Sequence, residues 1–193
     1  MKKIMLMAAA LLMSGQAYAA NWSLVNEASS LHFISVKKST VAEVHDFKTL
    51  HGTGDEQGHV ALKVDLSSVD THVDVRNERM KSMLFDVVSF PAAEIAGVVD
   101  VKKLSAMKSG DRAIQRIQLQ LSLHGISHEV TADVSVVKLS QQRFLVASLK
   151  PIIIKASDFQ LLAGIEKLRQ VAKLSSISTA VPVTFSLIFR HPS

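Results

Sequence analysis

Four separate segments of the chain alternate apolar and polar residues one by one, and that period of two dictates strands. In HVALKVDL (59–66), Val60, Leu62, Val64 and Leu66 oppose His59, Lys63 and Asp65. IQLQLSLH (117–124) sets Ile117, Leu119, Leu121 and Leu123 against Gln118, Gln120, Ser122 and His124. The pattern returns in EVTADVSV (129–136), and in VPVTFSLIF (181–189) through Val181, Val183, Phe185, Leu187 and Phe189. Strands of this kind have one wet face and one apolar face. HGTGDEQGH places Gly52, Gly54 and Gly58 between two strand-like runs, and LHGISH places Gly125 between two more. Short turns of this type join antiparallel neighbours. Helical spacing occurs only around 75–85 and 161–173, too little for repeated βαβ units. The expectation is an all-β fold: an antiparallel barrel of about eight strands with one or two short covering helices. Such a barrel is just wide enough to be filled by its own side chains or to hold one small ligand. The inward faces are mostly Val, Leu and Ile, which leaves room for an apolar guest.

The first twenty residues do not fit this pattern. MKKIMLMAAALLMSGQAYAA carries Lys2 and Lys3, an apolar run from Ile4 to Met13, and Ala17 and Ala19 in an A-x-A arrangement. This predicts a cleavable secretory signal peptide over residues 1–19, with residues 20–193 forming a single domain. The run is far shorter than the roughly 20 residues that span a bilayer, so no stable membrane anchor is expected. A mature chain of this length buries roughly two thirds of its unfolded surface. It has no cysteine and must hold its fold by burial without disulfides. The formal charge of +5 falls to +3 when Lys2 and Lys3 leave. The remaining basic residues are interspersed with acids, which is a solvated surface and not a nucleic-acid footprint. Tyr18 leaves with the leader, so the mature chain keeps one Trp and eight Phe and no flat aromatic with a phenolic handle. Sugar and nucleic-acid sites rely on such faces.

The segment DVRNERMKSMLFDVVSFP (74–91) interrupts the strands. Met80, Met83, Leu84 and Val87 fall at i, i+3, i+4 and i+7 and form one apolar stripe, with Arg76, Arg79 and Lys81 left to face water. Asp74 is placed to cap the start, and Pro91 to prevent extension. A helix across one barrel mouth would close it with adaptable methionine side chains, either as a structural plug or as a lid that touches ligand. Arg76 and Arg79 are candidates for a head group, since the guanidinium fork suits phosphate oxygens. In LLAGIEKLRQVAKL (161–174), Ile165, Leu168 and Ala172 share a side, which reads as a packed cover or an interface helix.

Metal and catalytic motifs are absent from the sequence. His124 and His128 are four apart, but Gly125 makes the segment a turn, without the helical geometry of a zinc pair. His72 lies near Asp70 and Asp74, and His45 precedes Asp46; solvated or capping histidines are the expectation. There is no G-x-S-x-G elbow, nucleophilic cysteine or glycine-rich phosphate loop. No catalytic residue, metal or cofactor is assigned.

WSLVNEASSLHF (22–33), DLSSVDTHVDVRNERMKSMLFDVVSFPAAEI (65–95), LSLHGISHEVTADV (121–134) and ASDFQL (156–161) resemble, in order, the segments that mark YceI-like proteins. The central block is the specific part, with Ser68, Thr71, Arg76, Asn77, Met80, Phe85, Asp86, Phe90 and Pro91 at matching spacing. The chain departs from the pattern at His45–Asp46, where the family commonly has a glycine before the Phe. The resemblance implies an extended lipocalin-like antiparallel barrel and a periplasmic protein that binds a polyisoprenoid lipid. On that basis the expected lining is Phe33, Val64, Met80, Met83, Leu84, Phe85, Leu121, Phe159 and Phe185, in a carrier that holds a long polyprenyl or quinone-like chain and performs no chemistry. The alternatives are a secreted enzyme acting on a lipid or quinone, and a stress-related interaction protein with a filled core. The expected partners are the isoprenoid lipid and no nucleic acid. The resemblance, the apolar face of the 161–173 helix and the strand edges of an imperfectly closed barrel also point to a homodimer.

Overall fold

A computed structural model describes residues 22–191, so the expected leader and cleavage point lie outside the described residues. Twelve strands form one antiparallel sheet: β1 (Trp22–Leu24), β2 (Ser30–Lys37), β3 (Val41–Phe47), β4 (Leu50–Gly54), β5 (His59–Asp65), β6 (Val69–Asp70), β7 (Ala92–Val98), β8 (Arg112–Leu123), β9 (Ile126–Ser140), β10 (Arg143–Ser148), β11 (Ile152–Lys155) and β12 (Ala180–Arg190). Eight of them close a ring in the order β1-β4-β5-β7-β8-β9-β10-β12, sealed where Ser23 and Leu24 of β1 pair with Arg190 and Phe189 of β12. The first half of β12 extends past the ring. There it pairs with β11 on one edge and β2 on the other, and β2 carries β3 and β6 outward as a collar. The fold is the all-β antiparallel barrel expected from the alternation, in the lipocalin-like form that the resemblance implied.

The period of two sets which side chains enter the barrel. Val60, Leu62, Val64 and Leu66, then Ile117, Leu119, Leu121 and Leu123, then Val181, Val183, Phe185, Leu187 and Phe189, all face inward. The β8–β9 turn holds His124 and Gly125, both at positive φ (+53° and +76°), as a two-residue primed turn requires. A Cβ on Gly125 would also lie 2.8 Å from the Phe90 ring. The β4–β5 connection is shorter than the glycine spacing suggests. Gly52 and Gly54 belong to β4, and the turn itself is Asp55–Gly58, organised by Asp55 accepting the amides of Gln57 and His59.

Among the described residues there are three α-helices: α1 (Asp74–Arg79), α2 (Val101–Ser105) and α3 (Leu162–Val171). The opening of α1 differs from the expectation at both ends. Val73 occupies the N-cap and no side chain caps it, while Asp74 lies in the first turn, where a carboxylate complements the helix dipole. The entry is fastened instead by Asn77, whose Oδ1 accepts from the Thr71 amide (2.8 Å) and hydroxyl (2.6 Å). α1 then widens into a π-helical segment over Met80–Phe85 and stops at Asp86, which takes a left-handed conformation (φ +47°) five residues before Pro91. Bonding from i to i+5 alters the face that sequence spacing predicts. Met80 and Phe85, five apart, point into the core, and Met83 turns out to 37% exposure.

α3 packs across this segment through Gly164. A Cβ there would lie 2.8 Å from the Met83 carbonyl oxygen and 2.9 Å from the Leu84 Cα, so only glycine lets the two backbones meet. Ile165 is buried and Leu168 half-buried against the core, while Ala172 is exposed. Gly164→Ala should therefore destabilise the protein by about 1–3 kcal/mol, as overpacking does, despite alanine's better helix propensity. Chemical denaturation measures this, and an unchanged or raised midpoint would contradict the close backbone contact.

Candidate functional site

Two buried clusters leave a space between them. One gathers Leu31, Phe33, Leu50, Val64, Met80, Phe85, Phe159 and Ile165 under the helices, and the other gathers Ile117, Ala132, Val134 and Val136 at the middle of the long strands. The cavity between them measures about 520 Å³ and is lined almost wholly by aliphatic and phenyl groups. This volume lies within the range of small-molecule sites.

The two ends of the cavity differ. At one end the lining is Met80, Phe85, Leu161 and Ile165, all buried, so α1, its π-helical extension and α3 form a floor. At the other end the lining includes Glu56, Ser105 and Gln141, which are exposed, together with Val101 and Leu104 of α2. The cavity therefore reaches the surface beside α2, at the end away from α1. Trp22 stands at that mouth, edge-on to Phe144 at 5.0 Å.

The sequence-derived lining residues divide accordingly. Phe33, Val64, Met80, Leu84, Phe85, Leu121 and Phe185 face the cavity. Met83 does not, because the π-helical segment rotates it to the surface. Phe159 does not either; it is 1% exposed and packs edge-on to His128 at 5.3 Å in the surrounding core. Arg76 and Arg79 stand at the floor, away from the polar mouth. Arg76 is already engaged, donating to Glu43 (2.7 Å) and to the Thr71 carbonyl (2.6 Å). Its role is to fasten α1 to β3.

Two polar residues escaped the sequence reading although the alternation contained them. Continuing the inward parity of β9 from Val134 and Val136 reaches Lys138, and continuing that of β8 from Ile117 back towards its start reaches Gln115. Both are 8% exposed. Lys138 lines the mouth, donates to the Met107 carbonyl at 2.9 Å and lies 5.7 Å from the centre of the Phe144 ring. Gln115 accepts the Asp100 amide at 3.1 Å, and its Nε2 has no partner. Asp55, also at the mouth and buried, is satisfied by two amides and by His59 Nδ1 at 2.8 Å.

The Ser35–His45 pair and the His32 and His72 network lie outside the cavity. Ser35 Oγ and His45 Nε2 are 2.8 Å apart, as in a nucleophile and base, but His45 Nδ1 has no orienting carboxylate. Burial, and then the Arg76 charge, push the His45 pKa below its ordinary value, and its ring packs against Phe33 with centroids 5.1 Å apart and planes tilted by 55°. His32 and His72 serve a surface network with Asp46, Asp70 and Lys48. Among the described residues no three His, Asp or Glu side chains converge as a metal site, and no helix is long and apolar enough to cross a membrane.

The profile described as the YceI-like domain matches residues 22–189. A polyisoprenoid binding domain from Saccharophagus degradans, implicated in plant cell wall breakdown, has a solved structure that is similar, with 38% identity and a TM-score of 0.88 over 90% of this chain and 100% of that one. BcnA of Burkholderia cenocepacia shares the fold at 19% identity and a TM-score of 0.66, over 86% of this chain and 98% of its own. A Campylobacter jejuni YceI protein shares it at 13% identity and 0.55, over 77% and 85%. No curated protein sequence matches the chain.

Proposed function

The chain belongs to the YceI-like family, and from that premise we propose that it is an exported, periplasmic carrier that holds one long isoprenoid lipid inside its barrel. The observation that carries this reading is the cavity: about 520 Å³ of aliphatic space, closed at the α1 floor and open beside α2. Function then consists of burial. Each methylene taken from water contributes roughly 0.8 kcal/mol, so a partly enclosed prenyl chain is held tightly without any reacting group. The similar domain described as polyisoprenoid binding supports the ligand class. An open cavity argues against a filled-core interaction protein. The Ser35–His45 pair lies behind Phe33, outside the cavity, which favours binding over catalysis.

Native mass spectrometry of protein isolated from its own host tests the proposal. The expected result is a chain beginning at Ala20 that carries a non-covalent hydrophobic mass, released by organic solvent as a prenyl lipid. Protein that is compact and empty in every preparation would contradict the carrier reading, and an intact Met1 on membrane-bound material would contradict export.

A further inference from the structure

The charges of the mature chain are not distributed evenly over the barrel. The α2 end carries Lys102, Lys103, Lys108, Arg112, Lys138, Arg143 and Arg190 against Asp55, Glu56, Asp100 and Asp111, an excess of three positive charges. The charges elsewhere after the leader, thirteen basic and thirteen acidic, cancel. The whole formal excess of the mature protein thus surrounds the cavity mouth.

Local bonding sharpens the asymmetry. Three of the four acids at this end are turned to internal use: Asp55 on His59 and two amides, Asp100 capping α2 through the Lys103 amide, and Asp111 accepting the Lys108 amide, while Glu56 stays exposed. Among the described residues, Lys102, Lys103, Lys108, Arg112, Arg143 and Arg190 are all exposed and none forms an ion pair. The paired cations, such as Lys37, Lys48, Arg76, Lys81, Arg116 and Arg169, lie on the wall or at the floor. Apolar groups stand beside this basic rim. Ile114 and Leu139 are 53% and 46% exposed on the outer faces of β8 and β9, close to their mouth ends.

We infer that the α2 end is a docking surface for an anionic phospholipid bilayer, which brings the open mouth against the lipid phase. A basic rim bearing a few exposed aliphatic side chains is the composition that settles on an anionic interface. The position completes the argument: a prenyl chain is insoluble in water, and a tunnel that opens onto the bilayer lets it pass without crossing solvent. The inference takes the carrier reading as its purpose, while the charge asymmetry stands independently.

Vesicle flotation of the mature protein tests it, using phosphatidylglycerol–phosphatidylcholine vesicles against pure phosphatidylcholine. The expected result is binding to the anionic vesicles alone, lost at molar salt because charge attraction at a surface is screened beyond about 3 Å there. The triple variant K102E/K103E/R143E should bind the anionic vesicles at least ten-fold more weakly with an unchanged melting temperature. The matched variant K155E/K167E/K173E, at the floor end, alters net charge equally and should keep most of the binding. Equal binding to neutral vesicles, or equal loss in the two triple variants, would overturn the inference. Vesicle binding by a protein that never yields a prenyl lipid would leave the docking surface standing and remove the carrier reading.

Discussion

Exchanging Met80 for aspartate should cost at least about 4 kcal/mol of folding stability, while the same exchange three residues on, at Met83, should cost less than about 1 kcal/mol. Met80 is 6% exposed and sits in the main buried cluster; Met83 is 37% exposed. An unpaired carboxylate at the first site has no polar partner in an aliphatic floor, so it must either protonate or drag the helix outward. At the second it is hydrated where it stands. For a domain of this size the difference corresponds to a fall in melting temperature of about 10 °C for Met80→Asp against a few degrees at most for Met83→Asp. Scanning calorimetry on the two variants decides the point. Equal losses would mean that the segment is not widened at Met80–Phe85 and that the regular α-helical stripe of Met80, Met83 and Leu84 is the buried one. Extracted prenyl lipid, measured in parallel, should be undiminished in the Met83 variant, because that side chain does not face the cavity.

The barrel was legible in the sequence because strand parity is local. Each alternating segment fixes its own inward face, and closing the sheet merely brings those faces together. Extending the same parity would have found Lys138 and Gln115, inward polar positions at the ends of long strands whose alternation remains regular. The helix was legible only in outline. Its apolar spacing is equally consistent with an α-helix, and nothing in MKSMLF announces the wider turn that exchanges Met83 for Phe85 on the buried face. The segment is met there by Gly164, some eighty residues later, whose missing side chain lets α3 press on the backbone at Met83 and Leu84. α2 was illegible for a different reason. Five residues give too little periodicity to distinguish a helix from a loop, yet Val101 and Leu104 shape the mouth. The placement of the opening beside α2, and so the demotion of Arg76 and Arg79 as head-group candidates, follows from three-dimensional closure and from no short stretch of sequence.

Filling the cavity should abolish lipid retention and leave the fold as stable as before. Ala93 lies on the inward face of β7, paired with Val64 of β5, and lines the cavity near its floor. In Ala93→Phe a phenyl ring would project into the space proposed for the prenyl chain. A ring entering a packed core costs about 1–3 kcal/mol, because neighbours must leave their rotamers. The same ring entering a void meets no such opposition, and cavity filling commonly adds about 0.5–2 kcal/mol. Stability and binding should accordingly move apart. Excluding only two methylenes of ligand removes roughly 1.6 kcal/mol of burial, already more than the 1.4 kcal/mol that makes a ten-fold change in affinity. Ala93→Phe should therefore yield at least ten-fold less extractable prenyl lipid, with a melting temperature of the empty protein equal to or above that of empty wild type. The comparison has to be made on delipidated samples, since a bound ligand raises the wild-type melting temperature by mass action. A variant that melts several degrees lower yet retains its full lipid would show that the space beside Ala93 is core and that the ligand, wherever it binds, is held elsewhere.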